Sequence, residues 1–358
     1  MKKRLLSLLA AFAITAAMSA CQAADTEQET QLDGINTDTE LISKTSQTDE
    51  PFSETHISAA MEQNTGTAND ENINKHVKSL TIEDTEITNN TIEEISLQKD
   101  ISDLTVIFYN ENSQNELSIK PLASLEGLKR LRLIGYCSDL SIIAEMKSLE
   151  SIELGENFSI KDLDDLCYNE NVKELIITSS SIENIDNIVQ LPNLEKITIE
   201  NTNSIENIDL SALGKMKKLK SICLKWITVD SIEFVNNLEN LEEILIWPNN
   251  SNISDYENLK YCSKLKEARL YGIDIDNLDF LTELYMLTDL ELRWGNIKDL
   301  SSFPEIKSLR RLELWGIEYN DILNEMSDLE QLTIYETDLS EEEINKLKSS
   351  IPNCEIKY

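Results

Sequence analysis

Six aromatic side chains recur in the C-terminal half of this sequence at intervals of roughly twenty-two residues, and their chemistry is stacking and contact rather than bond-making. Trp247, Tyr271, Trp315 and Tyr335 take one equivalent position in successive sequence units, which Arg293 fills in the unit between; Trp226 and Trp294 lie one residue farther on. All four tryptophans belong to this band although aromatics make up only 6% of the composition, so random surface use does not account for them. Tryptophan and tyrosine bring large contact area, few rotors and a polar atom, which is why they anchor interfaces. Arg269, Glu267, Glu291, Arg311 and Glu313 place both signs of charge beside them, able to orient a ligand or to pair across strands.

Residue types for catalysis are scarce. The only histidines, His56 and His76, precede the repeated units, and the nine glycines form no phosphate-cradling loop. No His-Glu-x-x-His spacing occurs. Carboxylate pairs such as Asp164 with Asp165, or Asp274 with Asp276, are expected by chance among 66 acidic residues and read as solvated surface. Apart from Cys21, the cysteines (Cys137, Cys167, Cys223, Cys262 and Cys354) are odd in number and irregular in spacing, neither a disulfide framework nor a zinc ligand set. Cys223 falls between inward positions and is expected to be exposed. No cofactor and no metal are implied, and the chain is read as a non-enzyme.

The units that position the aromatics repeat along most of the chain. Their first apolar residues are Val77, Ile101, Leu128, Leu149, Val172, Leu194, Leu219, Leu241, Leu265, Leu287, Leu309 and Leu329, at intervals of 20 to 27 residues. Each marker precedes two alternating apolar residues, such as Leu290 and Leu292, that define a short strand with its inward side chains two residues apart. Further anchors, as in Ile273, Leu278, Leu281 and Leu284, mark a returning segment of about a dozen residues. That is too short for a long helix, so turns or 3₁₀ pieces are predicted on the back. An open α/β sheet would need longer crossovers.

Period and apolar spacing resemble the leucine-rich repeat family, in particular the 22-residue type of bacterial surface proteins such as internalins. The resemblance runs from Val77 to Tyr358 and implies an α/β solenoid, a horseshoe with a concave parallel β-sheet and short turns or 3₁₀ segments on its convex face. It departs from the family where the customary asparagine is replaced, as by Cys137, Ser180, Ile227 and Gly295. About twelve units are expected over residues 77–339. Residues 340–358 are expected to close the array: Ser340 and Glu343 form a capping box, Ile344, Leu347 and Ile351 an apolar stripe, and Pro352 precedes a last strand near Cys354 and Ile356. The interval of 27 residues after Ile101 predicts an inserted loop around Tyr109 to Asn115.

The N-terminal stretch reads as an address. Lys2, Lys3 and Arg4 precede an apolar run from Leu5 to Ala20, ending in Met18-Ser19-Ala20-Cys21. This resembles the lipobox of bacterial lipoproteins, with methionine where leucine is usual; residues 1–20 are then a signal peptide and Cys21 the lipidated mature N-terminus. Residues 22–76 carry twelve acidic residues against two lysines and too few apolar positions to offset chain entropy, so residues 21–76 read as a lipidated cysteine on a disordered acidic tether.

A formal net charge of −34 opposes nucleic acid or an anionic lipid surface as the main partner. The expected function is recognition of a protein or peptide on the concave C-terminal half, by a chain lipid-anchored to the outer face of the bacterial cell membrane. Carbohydrate capture by the same rings is the first alternative. The second is a structural envelope protein in which each aromatic merely covers the next.

Overall fold

The computed structural model describes residues 78–84, 87–108, 117–135, 140–155, 163, 166, 168–178, 182, 184–200, 208–249 and 253–358. The leader, Cys21, the tether, the loop expected at Tyr109 to Asn115, Cys137, Cys167 and Ser180 lie outside them.

Alternation of apolar and polar residues produces one strand per unit: β1 Ser79–Asp84, β2 Asp103–Phe108, β3 Arg130–Ile134, β4 Ser151–Gly155, β5 Glu174–Thr178, β6 Lys196–Glu200 and β7 Ser221–Ile227. They continue as β8 Glu243–Pro248, β9 Glu267–Tyr271, β11 Asp289–Arg293, β13 Arg311–Trp315, β14 Gln331–Tyr335 and β15 Glu355–Lys357. Together they form a single 13-stranded parallel sheet in chain order. The pairing is in register, with Leu290 beside Leu312 and Leu292 beside Leu314, so like positions stack and the inward leucines form continuous rows. Those four are at most 2% exposed. A one-residue slip would turn the whole row to solvent, which is why the register holds.

Behind the sheet the chain returns through short 3₁₀ segments such as Asp186–Gln190, Glu233–Asn237 and Asp279–Glu283. The anchors Leu278, Leu281, Leu284 and Leu287 are all buried, so each unit closes on its own back before the next strand begins. Backbone bonds tie neighbouring units: the Thr288 and Asp289 N–H groups both donate to the Lys266 carbonyl. The result is an open leucine-rich-repeat solenoid with a concave sheet and a convex 3₁₀ back. No helix among the described residues is long and apolar enough to cross a membrane.

Two elements go beyond the sequence reading. Helix α1, Asn89–Ser96, fits between β1 and β2 because Thr88 and Thr91 cap it reciprocally and Ile92 and Ile95 fall on one buried face. A second, two-stranded parallel sheet pairs β10 (Asp274–Asn277) with β12 (Asn296–Asp299). Asn296 donates to Asp274 at 3.1 Å and Lys298 pairs with Asp276 at 2.5 Å, while Ile275 and Ile297 lean on the core. Strand β15, where the sequence reading expects a last strand near Cys354 and Ile356, pairs with β14 and makes the sheet one strand longer than the twelve units. Between them, helix α2 (Glu341–Ser350) carries the Ser340–Glu343 capping box and buries Leu347, with Ile351 buried just beyond it.

Candidate binding face

The outward positions of the C-terminal strands are fixed by the same alternation that buries the leucines. Tyr271, Arg293, Trp315 and Tyr335 are register partners along β9, β11, β13 and β14, and Trp247 is the partner of Lys225. The preceding units carry Ile107, Ile134, Gly155, Thr178 and Glu200 along that row, so the aromatic band begins at β7.

The position that follows is governed by backbone shape. Trp226, Gly272, Trp294, Gly316 and Glu336 all have φ between +50° and +64°. Glycine takes this left-handed conformation freely, whereas a bulky residue is strained there by roughly 1–2 kcal/mol. The ladder imposes the shape. Gly272 N–H donates to the Arg293 carbonyl at 2.7 Å, Trp294 N–H to Trp315 at 2.7 Å and Gly316 N–H to Tyr335 at 2.9 Å. Trp226 is instead the extra residue where the β7–β8 register shifts between Lys225 and Ile227. Simple alternation would point Trp294 inward; the left-handed turn is compatible with the outward placement seen, where the residue is 37% exposed.

The rings form one network. Trp226 and Trp247 meet edge-on with centroids 4.7 Å apart, Trp247 lies 5.2 Å from Tyr271 and 5.6 Å from Trp294, and Tyr271 lies 6.1 Å from Trp294. Trp315 and Tyr335 form a second pair at 4.5 Å. Arg293 joins the two groups: its guanidinium lies 4.9 Å from the Tyr271 ring and 4.3 Å from the Trp315 ring, and it is paired with Glu291. Edge-to-face pairs add about 0.5–1.5 kcal/mol each beyond their buried area, and a stacked cation a similar amount.

This packing corrects two expectations of exposure. Tyr271 points away from the core but is only 6% exposed, being covered by its aromatic neighbours and Arg293. Burial, followed by the charge of Glu291, pushes its hydroxyl well above the ordinary tyrosine range. Cys223 is half-buried rather than open, and burial raises its thiol. Among the described cysteines, Cys262 and Cys354 are also free thiols.

The charged neighbours are mostly paired. Arg269 lies 2.5 Å from Glu267 and 3.5 Å from Glu291; burial opposes its charge, but those two carboxylates outweigh it and keep the guanidinium firmly protonated. Arg311 pairs with Asp289, a hydrogen bond that raises its pKa. Glu313 accepts from the Trp315 indole at 3.4 Å, and Glu336 from the Trp294 indole at 2.8 Å. Trp294 reaches Glu336 across Gly316, where an added Cβ would lie 3.1 Å from the Trp294 Cδ1. Glu336 and Gly316 escaped sequence reasoning, though Gly272 and Gly316, each directly after the last residue of its strand, were a legible sign of the shared left-handed turn. No group of three or more metal-ligating side chains occurs among the described residues.

No protein-family model matches the sequence, and no curated protein matches it. Among solved structures, an internalin (inlF) from Listeria monocytogenes is similar over 76% of this chain and 88% of its own, at 19% identity and a TM-score of 0.58. A TLR13–ssRNA13 complex is similar over 76% of this chain and 48% of that one, at 16% identity and a TM-score of 0.54. At such identities the likeness concerns the fold, and it is the leucine-rich-repeat fold that these structures share with this chain.

Proposed function

We propose that this chain is a non-enzymatic binding module of the bacterial cell surface that takes a protein or peptide partner on the concave face of its C-terminal half. The observation that carries the reading is Trp294, a bulky ring held at φ +50° where the adjacent units use Gly272 and Gly316, and left 37% exposed. Strain of this kind persists where something compensates it. Trp247, Trp315 and Tyr335 beside it are half-buried, so the patch offers ring surface that is already ordered and loses little rotamer freedom on contact. One similar structure is a complex with single-stranded RNA; here a net charge of −34 disfavours a polyanion, which favours polypeptide as the partner class. The Cys21 lipid and acidic tether of the sequence reading hold this face away from the membrane.

The test uses the full chain expressed with its leader. Trp294→Gly combined with Trp315→Ala is expected to abolish capture of the surface partner while circular dichroism stays unchanged, and Cys21→Ser to move the protein from the membrane fraction to the medium. Capture undiminished by the tryptophan changes would refute the binding face. Membrane retention of the Cys21 variant would refute the anchor.

A further inference from the structure

The face already contains one worked example of cation recognition, made by the chain on itself. Arg293 lies between the rings of Tyr271 and Trp315 with Glu291 as its counter-charge. One step farther along the array the same components recur. Trp315 and Tyr335 form an edge-to-face pair, Glu313 lies against the Trp315 indole and Glu336 against the Trp294 indole. No cation among the described residues pairs with either carboxylate. The cations on the outward positions from β9 to β15 are committed elsewhere: Arg269 to Glu267 and Glu291, Arg293 to Glu291, Arg311 to Asp289 and Lys357 to Glu355. This end of the face therefore carries surplus negative charge beside accessible ring surface.

We propose that it is an arginine-binding site, taking a guanidinium from a basic segment of the partner polypeptide against Trp315 and Tyr335 and between Glu313 and Glu336. This rests on the binding face proposed above and names the chemistry it selects. The indole N–H bonds hold both carboxylates in place before binding, and a net charge of −34 draws a basic segment toward the face. Arginine is favoured over lysine because its planar group both stacks and forks onto carboxylates. The guanidinium of Arg293, stacked in this manner, is the in-chain precedent.

The probe is a capped heptapeptide carrying two arginines in a glycine–serine background, titrated against the full chain by tryptophan fluorescence. Its isostere with citrulline in place of arginine keeps the shape and removes the charge. The arginine peptide is expected to bind saturably, the citrulline peptide not to, and Glu313→Gln with Glu336→Gln to weaken binding by about tenfold or more. Glutamine keeps an acceptor for each indole, so the fold is retained, which circular dichroism verifies. Equal binding of the two peptides, no saturable binding, or an unaffected double variant would each overturn the site. If partner capture depends on Trp294 and Trp315 yet is indifferent to the two glutamines, the face stands and the arginine site falls. If capture is indifferent to the tryptophans, the underlying reading falls instead.

Discussion

At the scale of single residues, the governing tension is between the left-handed turn and the ring that occupies it. Trp294 meets Trp247 at a tilt and Tyr271 edge-to-face and makes one indole bond to Glu336, all of which alanine and glycine remove equally. The two replacements differ in the strain of a Cβ at φ +50°, roughly 1–2 kcal/mol, and in the opposing entropy that glycine adds to the unfolded chain, about 0.4–1 kcal/mol. Trp294→Gly is therefore expected to be more stable than Trp294→Ala by about 1 kcal/mol in urea unfolding. Equal stabilities would show that the strain at φ +50° does not exceed that entropy difference. The wild type serves as the second reference: a loss of several kcal/mol in both variants would mark the aromatic network as chiefly structural. Sequence reading located these aromatics correctly along the chain, because the register follows from period. It could not foresee that Tyr271 is covered, since coverage depends on where Trp247, Trp294 and Arg293 lean.

At the scale of elements, each unit is a strand that cannot bury its inner row alone, so the ends of the stack need something different. At the C-terminal end α2 packs on the 3₁₀ segment Asp321–Glu325, with Lys346 2.7 Å from Asp321, and β15 covers the edge of β14. The Ser340 hydroxyl accepts from the Glu343 N–H while the Glu343 carboxylate accepts from the Ser340 N–H. Ser340→Ala is expected to cost about 1 kcal/mol. Nearest-neighbour coupling localises the effect, so amide exchange should accelerate in β14 and β15 and leave β9 unchanged. Uniform acceleration along the sheet would contradict this. The Ser340–Glu343 spacing was readable because a capping box is a local pattern. Helix α1 was not read, since Thr88 with Thr91 is a weaker form of that pattern and its interval of 24 residues lies within the range of the helix-free units. The β10–β12 pair was missed for another reason: its polar residues alternate only weakly, and the pairing exists because two successive units happen to lie in register.

At the scale of the whole molecule, stability rests on continuous rows of inward apolar side chains in which even a cysteine is used as a hydrophobe. Cys262 is fully buried, and burial pushes its thiol from an ordinary 9.0 to about 12. Below pH 9.0 the thiol is protonated in both folded and unfolded chains. Between that value and about 12 the unfolded chain releases a proton that the folded one keeps, so stability falls as pH rises through this window. Cys262→Ala should flatten that alkaline decline in urea midpoints measured across the range, and an unchanged slope would assign the decline to other groups. Spacing alone determined the solenoid, the strand positions and the aromatic row, because a repeat of 20 to 27 residues with paired inward positions has few ways to bury its leucines. Only the tertiary structure decided what the row became. Convergence of side chains on a concave sheet closes Tyr271 under its neighbours, stacks Arg293 between two rings, and leaves Glu313 and Glu336 beside tryptophan with no paired cation among the described residues, relations set by contacts between units that no single unit encodes.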